Sequence, residues 1–297
     1  MAERWLVTGG TGQVGTAFQR LSLPGVEVVA PSRAQFDLAA LPDLDPLLKG
    51  VTAIINCGAY TAVDKAESEP LMARAINTAA PARLAAAAAR AGIPIIHVST
   101  DYVFPADGKG PWREDDVIGP VSVYGQTKAD GEDAVRASGA RHAIVRTAWV
   151  ISADGANFIK TMLRLGAERD TLSVVADQRG CPTHAGDLAE ALAAITARFT
   201  SDPAQASGTW HCTNMGETTW HGLAQHAFAS AAACGMKVPV MVEPITTADY
   251  PTPARRPADS RLDCSRLAAD FGLQLRPWQQ AVDEVVRQLA GQTPGRT

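Results

Sequence analysis

The chain of 297 residues lacks the features of several protein classes. No apolar run approaches the roughly 18 consecutive residues of a membrane helix, so no transmembrane segment is expected. Cysteine is sparse: the 5 thiols are scattered at 57, 181, 212, 234 and 264 and include no Cys-x-x-Cys pair. That argues for reduced thiols in a cytosol rather than a disulfide framework. The 6 histidines show no His-Glu-x-x-His or similar ligand spacing, so no structural or catalytic metal is expected. Neither sign of charge dominates, the net being −4 with acids and bases interspersed, which gives no reason to expect a nucleic-acid or membrane partner. There is no internal repeat, and no low-complexity stretch apart from 291–297. The start, Met1-Ala2-Glu3-Arg4, leads straight into a strand-like run, so no signal peptide is expected and the location is read as cytoplasmic.

What the chain does contain is alternation of buried-strand and helical patterns, 46% hydrophobic and 20% charged residues, and length for one large domain or two lobes. Trp5-Leu6-Val7 reads as a strand. It runs into Thr8-Gly9-Gly10-Thr11-Gly12-Gln13-Val14-Gly15 and then a helical pattern from Thr16 to Leu21. Gly9-x-x-Gly12-x-x-Gly15 between strand and helix is a dinucleotide-binding fingerprint: glycines allow a tight turn and close backbone approach to a pyrophosphate, and helix N–H groups face the phosphates. Gly9, Gly12, Gln13, Val14 and Gly15 are therefore candidate cofactor residues.

Val26 to Ala30 reads as a second strand. Its end carries no acid to receive an unmodified ribose. It carries Ser32 and Arg33, a hydroxyl and a permanent cation, which suit a 2′-phosphate, so NADPH is expected ahead of NADH. Asp37 and Leu38, just beyond, are taken into the same site, and Leu41 to Pro46 is expected to start a helix. Val51 to Cys57 is a third, continuously apolar strand. Ala59, Tyr60 and Thr61 after it suit close approach to a cofactor. Glu69 to Ala91 reads as one long alanine-rich helix stopped by Gly92.

A fourth strand, Ile93 to Val98, ends in Ser99-Thr100-Asp101. Ligands of open parallel sheets bind off the carboxyl ends of strands, which puts the Thr100 hydroxyl where chemistry happens. Further on, Tyr124 and Lys128 are four residues apart, one turn along a helix. A phenol titrates near 10, and a nearby ammonium favours the phenolate, so a tyrosine tuned this way can act as general acid or base near neutral pH. Ala143 to Arg146 is a fifth strand, and after Trp149 the alternation weakens. Trp210-His211-Cys212 is a possible strand, and Leu262–Phe271 and Pro277–Leu289 read as terminal helices. Thr247–Pro257 is a rigid Pro/Arg loop whose Arg255 and Arg256 suit a diphosphate. The fold class expected is α/β: a Rossmann-type doubly wound parallel sheet in 1–150, with 177–200 returning to it, and a smaller C-terminal lobe from 151–176 and 201–297.

With these motifs in place the chain resembles the extended short-chain dehydrogenase/reductases and, within them, the dTDP-4-dehydrorhamnose reductase family. The carrying segments are 8–15, Ala59 to Glu67, Ser99 to Phe104, Tyr124 to Lys128, Gln178 to Thr183 and Arg256 to Ser260; together they span nearly the whole chain. The resemblance implies NAD(P)H-dependent reduction of the 4-keto group of dTDP-4-dehydro-L-rhamnose to dTDP-L-rhamnose. It implies Tyr124 as proton donor to the C4 oxygen, Lys128 as holder of the ribose hydroxyls, and Thr100 as a hydrogen bonder to the same oxygen. Thr100, Asp101 and Trp149 match positions that line the sugar, and the second lobe is expected to close over the sugar nucleotide with Arg256. Metal-linked dimers of the family carry a glutamate two residues after the last fingerprint glycine. Here Ala17 stands there, with Glu190 the one candidate match to another of those acids, so no metal bridge is implied and monomer or homodimer stays open. Sugar-nucleotide dehydratases of this fold place Asp-Glu after the threonine; here Asp101 is followed by Tyr102. Two other readings remain open at this stage: a reductase of another 4-keto nucleotide sugar, and a non-catalytic dinucleotide-binding subunit like the regulatory subunit of methionine adenosyltransferase.

Overall fold

A computed structural model describes residues 2–291; apart from Gly291, the tail read as low-complexity lies outside the described residues. Five strands, β1 (Glu3–Thr8), β2 (Val26–Val29), β3 (Ala53–Asn56), β4 (Ile95–Thr100) and β5 (His142–Thr147), run in the order β5-β4-β3-β1-β2, with Gly208–His211 added outside β5. All pairings in this sheet are parallel. Chain order turns back on itself at β1, whose neighbours are β2 and β3. The crevice off the carboxyl ends at such a switch point is where open α/β sheets take ligands.

Alternation along each strand feeds two cores. Trp5, Val7, Ile55, Ile96 and Val145 face the helices Gln13–Gln19 and Ala185–Ser201, where they meet Phe18, Leu188, Leu192 and Phe199. Leu6, Ile54, Ile95 and Ile144 face the other way, onto Leu84, Ala85 and Ala88 of the helix Ala80–Ala91 and Val135 of the helix Val123–Ala137. A third core lies in the second lobe. There the helices Phe158–Glu168, Trp220–Ala233 and Trp278–Leu289 enclose Ile159, Leu163, Leu223, Phe228, Val282 and Val286 beside the parallel strands Thr171–Val175 and Met241–Ile245.

Three local expectations change. Residues 41–46 do not start a helix: prolines at 42 and 46 interrupt the donors, and the segment forms turns that still bury Leu41, Leu44 and Leu48. The long helix expected over 69–91 is helical but contains a π turn at Ala75–Ala79 between Pro70–Arg74 and Ala80–Ala91, and it stops at Gly92 with φ 67°. The division of the chain put all of 201–297 in the second lobe, yet Gly208–His211 lies in the main sheet, and Leu267 packs in the core beneath it. Among the described residues no helix is long and apolar enough to cross a membrane.

Candidate active site

The carboxyl ends of β1, β3, β4 and β5 open onto a cleft of about 690 Å³. At its β1 end the chain turns through the glycine loop, where Gly12 N donates to Gly9 O at 2.8 Å. There is no room for side chains. A Cβ on Gly15 would lie 2.2 Å from Gly9 O, and one on Gly9, at φ 72°, would lie 2.7 Å from Gly58 Cα. The helix that follows has no side-chain cap and no acid in its first turn, so its amides face the cleft with a positive field. This cradle fits the pyrophosphate of a dinucleotide.

Beneath the loop runs a buried polar chain. Gly58 N donates to Thr8 Oγ1, Thr8 Oγ1 donates to Asn56 Oδ1 at 2.5 Å, and Asn56 Nδ2 donates to His97 Nδ1 at 2.9 Å. Burial keeps His97 neutral. Asn77, in the π turn, accepts from Tyr60 N at 2.8 Å and donates to Thr127 Oγ1 at 3.2 Å, tying the Ala59–Thr61 segment to the catalytic helix. A π turn at such a junction is where functional distortions of helices concentrate.

The chemistry sits at the β4 end. Ser122 caps the helix Val123–Ala137 by accepting from Gly125 N, and this points Tyr124 and, a turn later, Lys128 into the cleft. Thr100 at the end of β4 lies against the Tyr124 phenol and donates to Asp101 Oδ1 at 2.9 Å. The expected lowering of the phenol's pKa is not observed. Burial pushes Tyr124 up to about 12, with a further push from the Asp101 carboxylate and only the Thr100 bond acting downward. Lys128 Nζ is turned onto Val98 O at 2.6 Å, and burial brings its ammonium down to about 8 against Glu132 and Cys57. Desolvation outweighs pairing here, so Tyr124 is a protonated donor at neutral pH.

Trp149 closes the cleft toward the second lobe, stacked on Trp220 with ring centroids 3.5 Å apart. Its φ of 46° is rare for a bulky residue and worth about 1–3 kcal/mol of strain. Gly180 makes the stack possible, because a Cβ there would lie 2.4 Å from Trp149 Cε2.

Of the sequence-derived candidates, Gly9, Gly12, Gln13, Val14, Gly15, Arg33, Asp37, Leu38, Ala59, Thr61, Thr100, Asp101, Tyr124, Lys128 and Trp149 line this one cleft. Ser32, Tyr60 and Arg256 do not. Ser32 Oγ donates to Gln35 Oε1, and Tyr60 OH donates to Glu69 Oε2. Arg256 grips Asp64 with two nitrogens, at 3.1 and 2.7 Å, which binds the Pro/Arg loop to the first lobe. Arg33 is 71% exposed and lies 3.7 Å from Asp37. Sequence reasoning passed over the bridges between the second lobe and the cofactor loop: Asn157 Nδ2 donates to Gln13 Oε1, and Arg20 makes a two-bond contact with Asp154. Neither pair had a signal in the sequence, since each joins residues more than a hundred positions apart.

A switch-point cleft with a glycine cradle at one end and a buried Tyr-Lys pair beside a threonine at the other marks a nicotinamide-dependent oxidoreductase of the short-chain type. Comparison with known proteins narrows the class. The family model described as RmlD substrate binding domain matches residues 3–290. A dTDP-4-dehydrorhamnose reductase of Sinorhizobium fredii (strain NBRC 101917 / NGR234) is 43% identical over 286 residues, 95% of this chain and 96% of the relative. Two solved structures are similar throughout. One is a dTDP-4-dehydrorhamnose reductase from Clostridium acetobutylicum, with TM-score 0.88 and 38% identity over 96% of this chain and 99% of that one. The other, from Bacillus anthracis, was solved in complex with NADP, with TM-score 0.87 and 32% identity over 97% of this chain and 100% of that one. The chain belongs to the dTDP-4-dehydrorhamnose reductase family.

Proposed function

We propose that this chain reduces the 4-keto group of dTDP-4-dehydro-L-rhamnose with NADPH, giving dTDP-L-rhamnose, in the cytoplasm and as a monomer or homodimer. The observation that carries the reading is the meeting of the glycine cradle with Tyr124, Thr100 and Lys128 in one cleft, in a chain about 40% identical over its length to reductases of that name.

The nicotinamide, when bound, supplies the hydride. The residues of the chain do the rest. Gly9 to Gly15 would hold the pyrophosphate by backbone, and Lys128 would hold the ribose hydroxyls once it leaves Val98 O. Tyr124, kept protonated by burial, gives its proton to the C4 oxygen as charge develops there, and positioned donors on that oxygen lower the barrier. Trp149 and Trp220 form an apolar wall that excludes water from the sugar side. Arg33 would read the 2′-phosphate of NADPH, joined by Ser32 only if its hydroxyl leaves Gln35; Arg33 can leave Asp37 for it, because an exposed pair at 3.7 Å is weak. Arg256, held by Asp64, fixes the Pro/Arg loop to the first lobe, and the neighbouring Arg255 would take the diphosphate.

The test is oxidation of NADPH by the purified chain with dTDP-, UDP- and GDP-linked 4-keto-6-deoxy sugars. Turnover with the dTDP substrate and little with the others supports the reading. Preference for another nucleotide would move it to a related reductase, and binding of NADPH without turnover of any would favour the non-catalytic subunit.

A further inference from the structure

Thr100 Oγ1 joins two hydrogen bonds beside the Tyr124 phenol, and chemistry sets their directions. A hydroxyl has one hydrogen and two lone pairs. Tyr102 N donates to Thr100 Oγ1 at 3.3 Å, and the Tyr124 phenol meets the same oxygen. Asp101 Oδ1 is 2.9 Å away. A carboxylate only accepts, so while Asp101 is ionised the single Thr100 hydrogen is committed to it. Thr100 then has nothing to donate to a substrate oxygen, and Tyr124 is the sole donor of the pair.

The surroundings of Asp101 disfavour that ionised state. The residue is 2% exposed, and its Oδ2 is buried without a hydrogen-bond partner. Four groups lie near enough to influence or be influenced by it: Tyr102 beside it, Tyr124 from the catalytic helix, and Cys181 and Ser260 from loops later in the chain. Burial raises the phenols and the thiol, so all of these are neutral near pH 7. Arg256 reaches Tyr102 but is paired with Asp64, and among the described residues no cation pairs with Asp101. Burial pushes the Asp101 carboxyl up to about 6 even though the Thr100 hydroxyl bonds to it and Ser260 lies nearby.

We propose that Asp101 is a positioning residue acting through Thr100: in its protonated form it donates to Thr100 Oγ1 and so frees the Thr100 hydrogen for the substrate's carbonyl oxygen. The developing oxyanion then has two donors, Tyr124 and Thr100, instead of one. The transferred proton is still Tyr124's. Hydride adds to the carbonyl carbon, the π pair moves to oxygen, and oxygen takes the phenolic proton, while the Asp101 proton stays in the chain of hydrogen bonds. This inference rests on the reductase reading.

The test is kcat against pH, from about pH 5 to about pH 9, with saturating NADPH and dTDP-4-dehydro-L-rhamnose. It compares wild type, Asp101→Asn and Thr100→Val. One oxyanion donor is worth ~10²–10³ in kcat, so wild type should fall by at least about tenfold as Asp101 ionises. Asparagine can donate to Thr100 at every pH, so the kcat profile of Asp101→Asn should lack this descending limb. Thr100→Val should be slow throughout and also lack it. A limb from Lys128, at higher pH, would persist in all three. A flat wild-type profile overturns the proposal, and so does an Asp101→Asn enzyme as slow as Thr100→Val at every pH. If Asp101→Asn does not fold, a limb that survives in Thr100→Val overturns it equally. No turnover of the sugar at any pH would refute the functional reading instead; turnover with a flat profile refutes only the role of Asp101.

Discussion

The two ends of the cleft are built by opposite means. At the β1 end backbone meets backbone: Gly9 packs on Gly58, and Gly15 on Gly9 and Gly10, so closely that a Cβ on Gly9 or Gly15 collides, and recognition is left to amides. At the β4 end the side chains do the work. Tyr124, Lys128, Asp101 and, a turn beyond Lys128, Glu132 are buried polar groups whose charge is set by desolvation and by a few hydrogen bonds. The first end should therefore respond to added volume and ignore small changes of charge. The second should respond to loss of one proton or one charge at constant volume.

The sharpest break of that contrast is Tyr124→Phe, which removes one oxygen. It should lower kcat by ~10²–10⁴, with NADPH affinity by fluorescence titration little changed. Glu132→Gln comes next. Glu132 is fully buried and binds Arg146 at 2.9 and 2.8 Å, and Arg136 joins from the surface. Losing its charge strands a buried guanidinium, which should cost about 3–5 kcal/mol in urea unfolding. The pH sense follows from its shift. Burial alone would raise this carboxyl, but Arg146 and Arg136 hold it down to about 2. A lowered native value stabilises the fold above the unfolded glutamate pKa of about 4.3, and that contribution is lost as pH falls toward the native value. Wild-type stability should drop over this window, and Glu132→Gln should drop less steeply.

At the other end, Gly15→Ala adds one methyl group against Gly9 O. Overpacking of this kind costs about 1–3 kcal/mol, and it should appear as weaker NADPH binding by calorimetry, with the substrate KM less affected. The smallest effect belongs to Arg33→Ala, which should reduce the NADPH-over-NADH preference in kcat/KM by about tenfold, near the lower end for a charge-assisted hydrogen bond. Arg33 is exposed and must first release Asp37. An unchanged preference would show that the phosphate is read elsewhere.

Legibility in the sequence divides along the same line. The β1 end was readable because glycine spacing and strand alternation are local signals: Gly9, Gly12 and Gly15 announce a turn that only glycine tolerates. Tyr124 and Lys128 were readable for a similar reason, four residues on one helix. The environments were not. Lys128 was expected to acidify Tyr124, but depth of burial decides that balance, and burial comes from segments distant in the chain. Arg256 was read as a free cation for a diphosphate, whereas the fold brings Asp64 to it from 192 positions away. The helix expected at 41–46 failed on its own prolines. In the second lobe, where short strands pair across long separations, neither the Trp149–Trp220 stack nor its dependence on Gly180 left any periodic trace.

Everything above converges on one reaction: reduction of a 4-keto sugar nucleotide in this cleft, with Tyr124 as proton donor. The most direct measurement is single-turnover oxidation of NADPH on mixing with dTDP-4-dehydro-L-rhamnose, in wild type and Tyr124→Phe, with the sugar product identified. Wild type should form dTDP-L-rhamnose in step with NADPH loss, and the variant should bind both ligands but react ~10²–10⁴ times more slowly. A variant that matches the wild-type rate, or a wild type that binds NADPH and leaves the sugar unreduced, would contradict it.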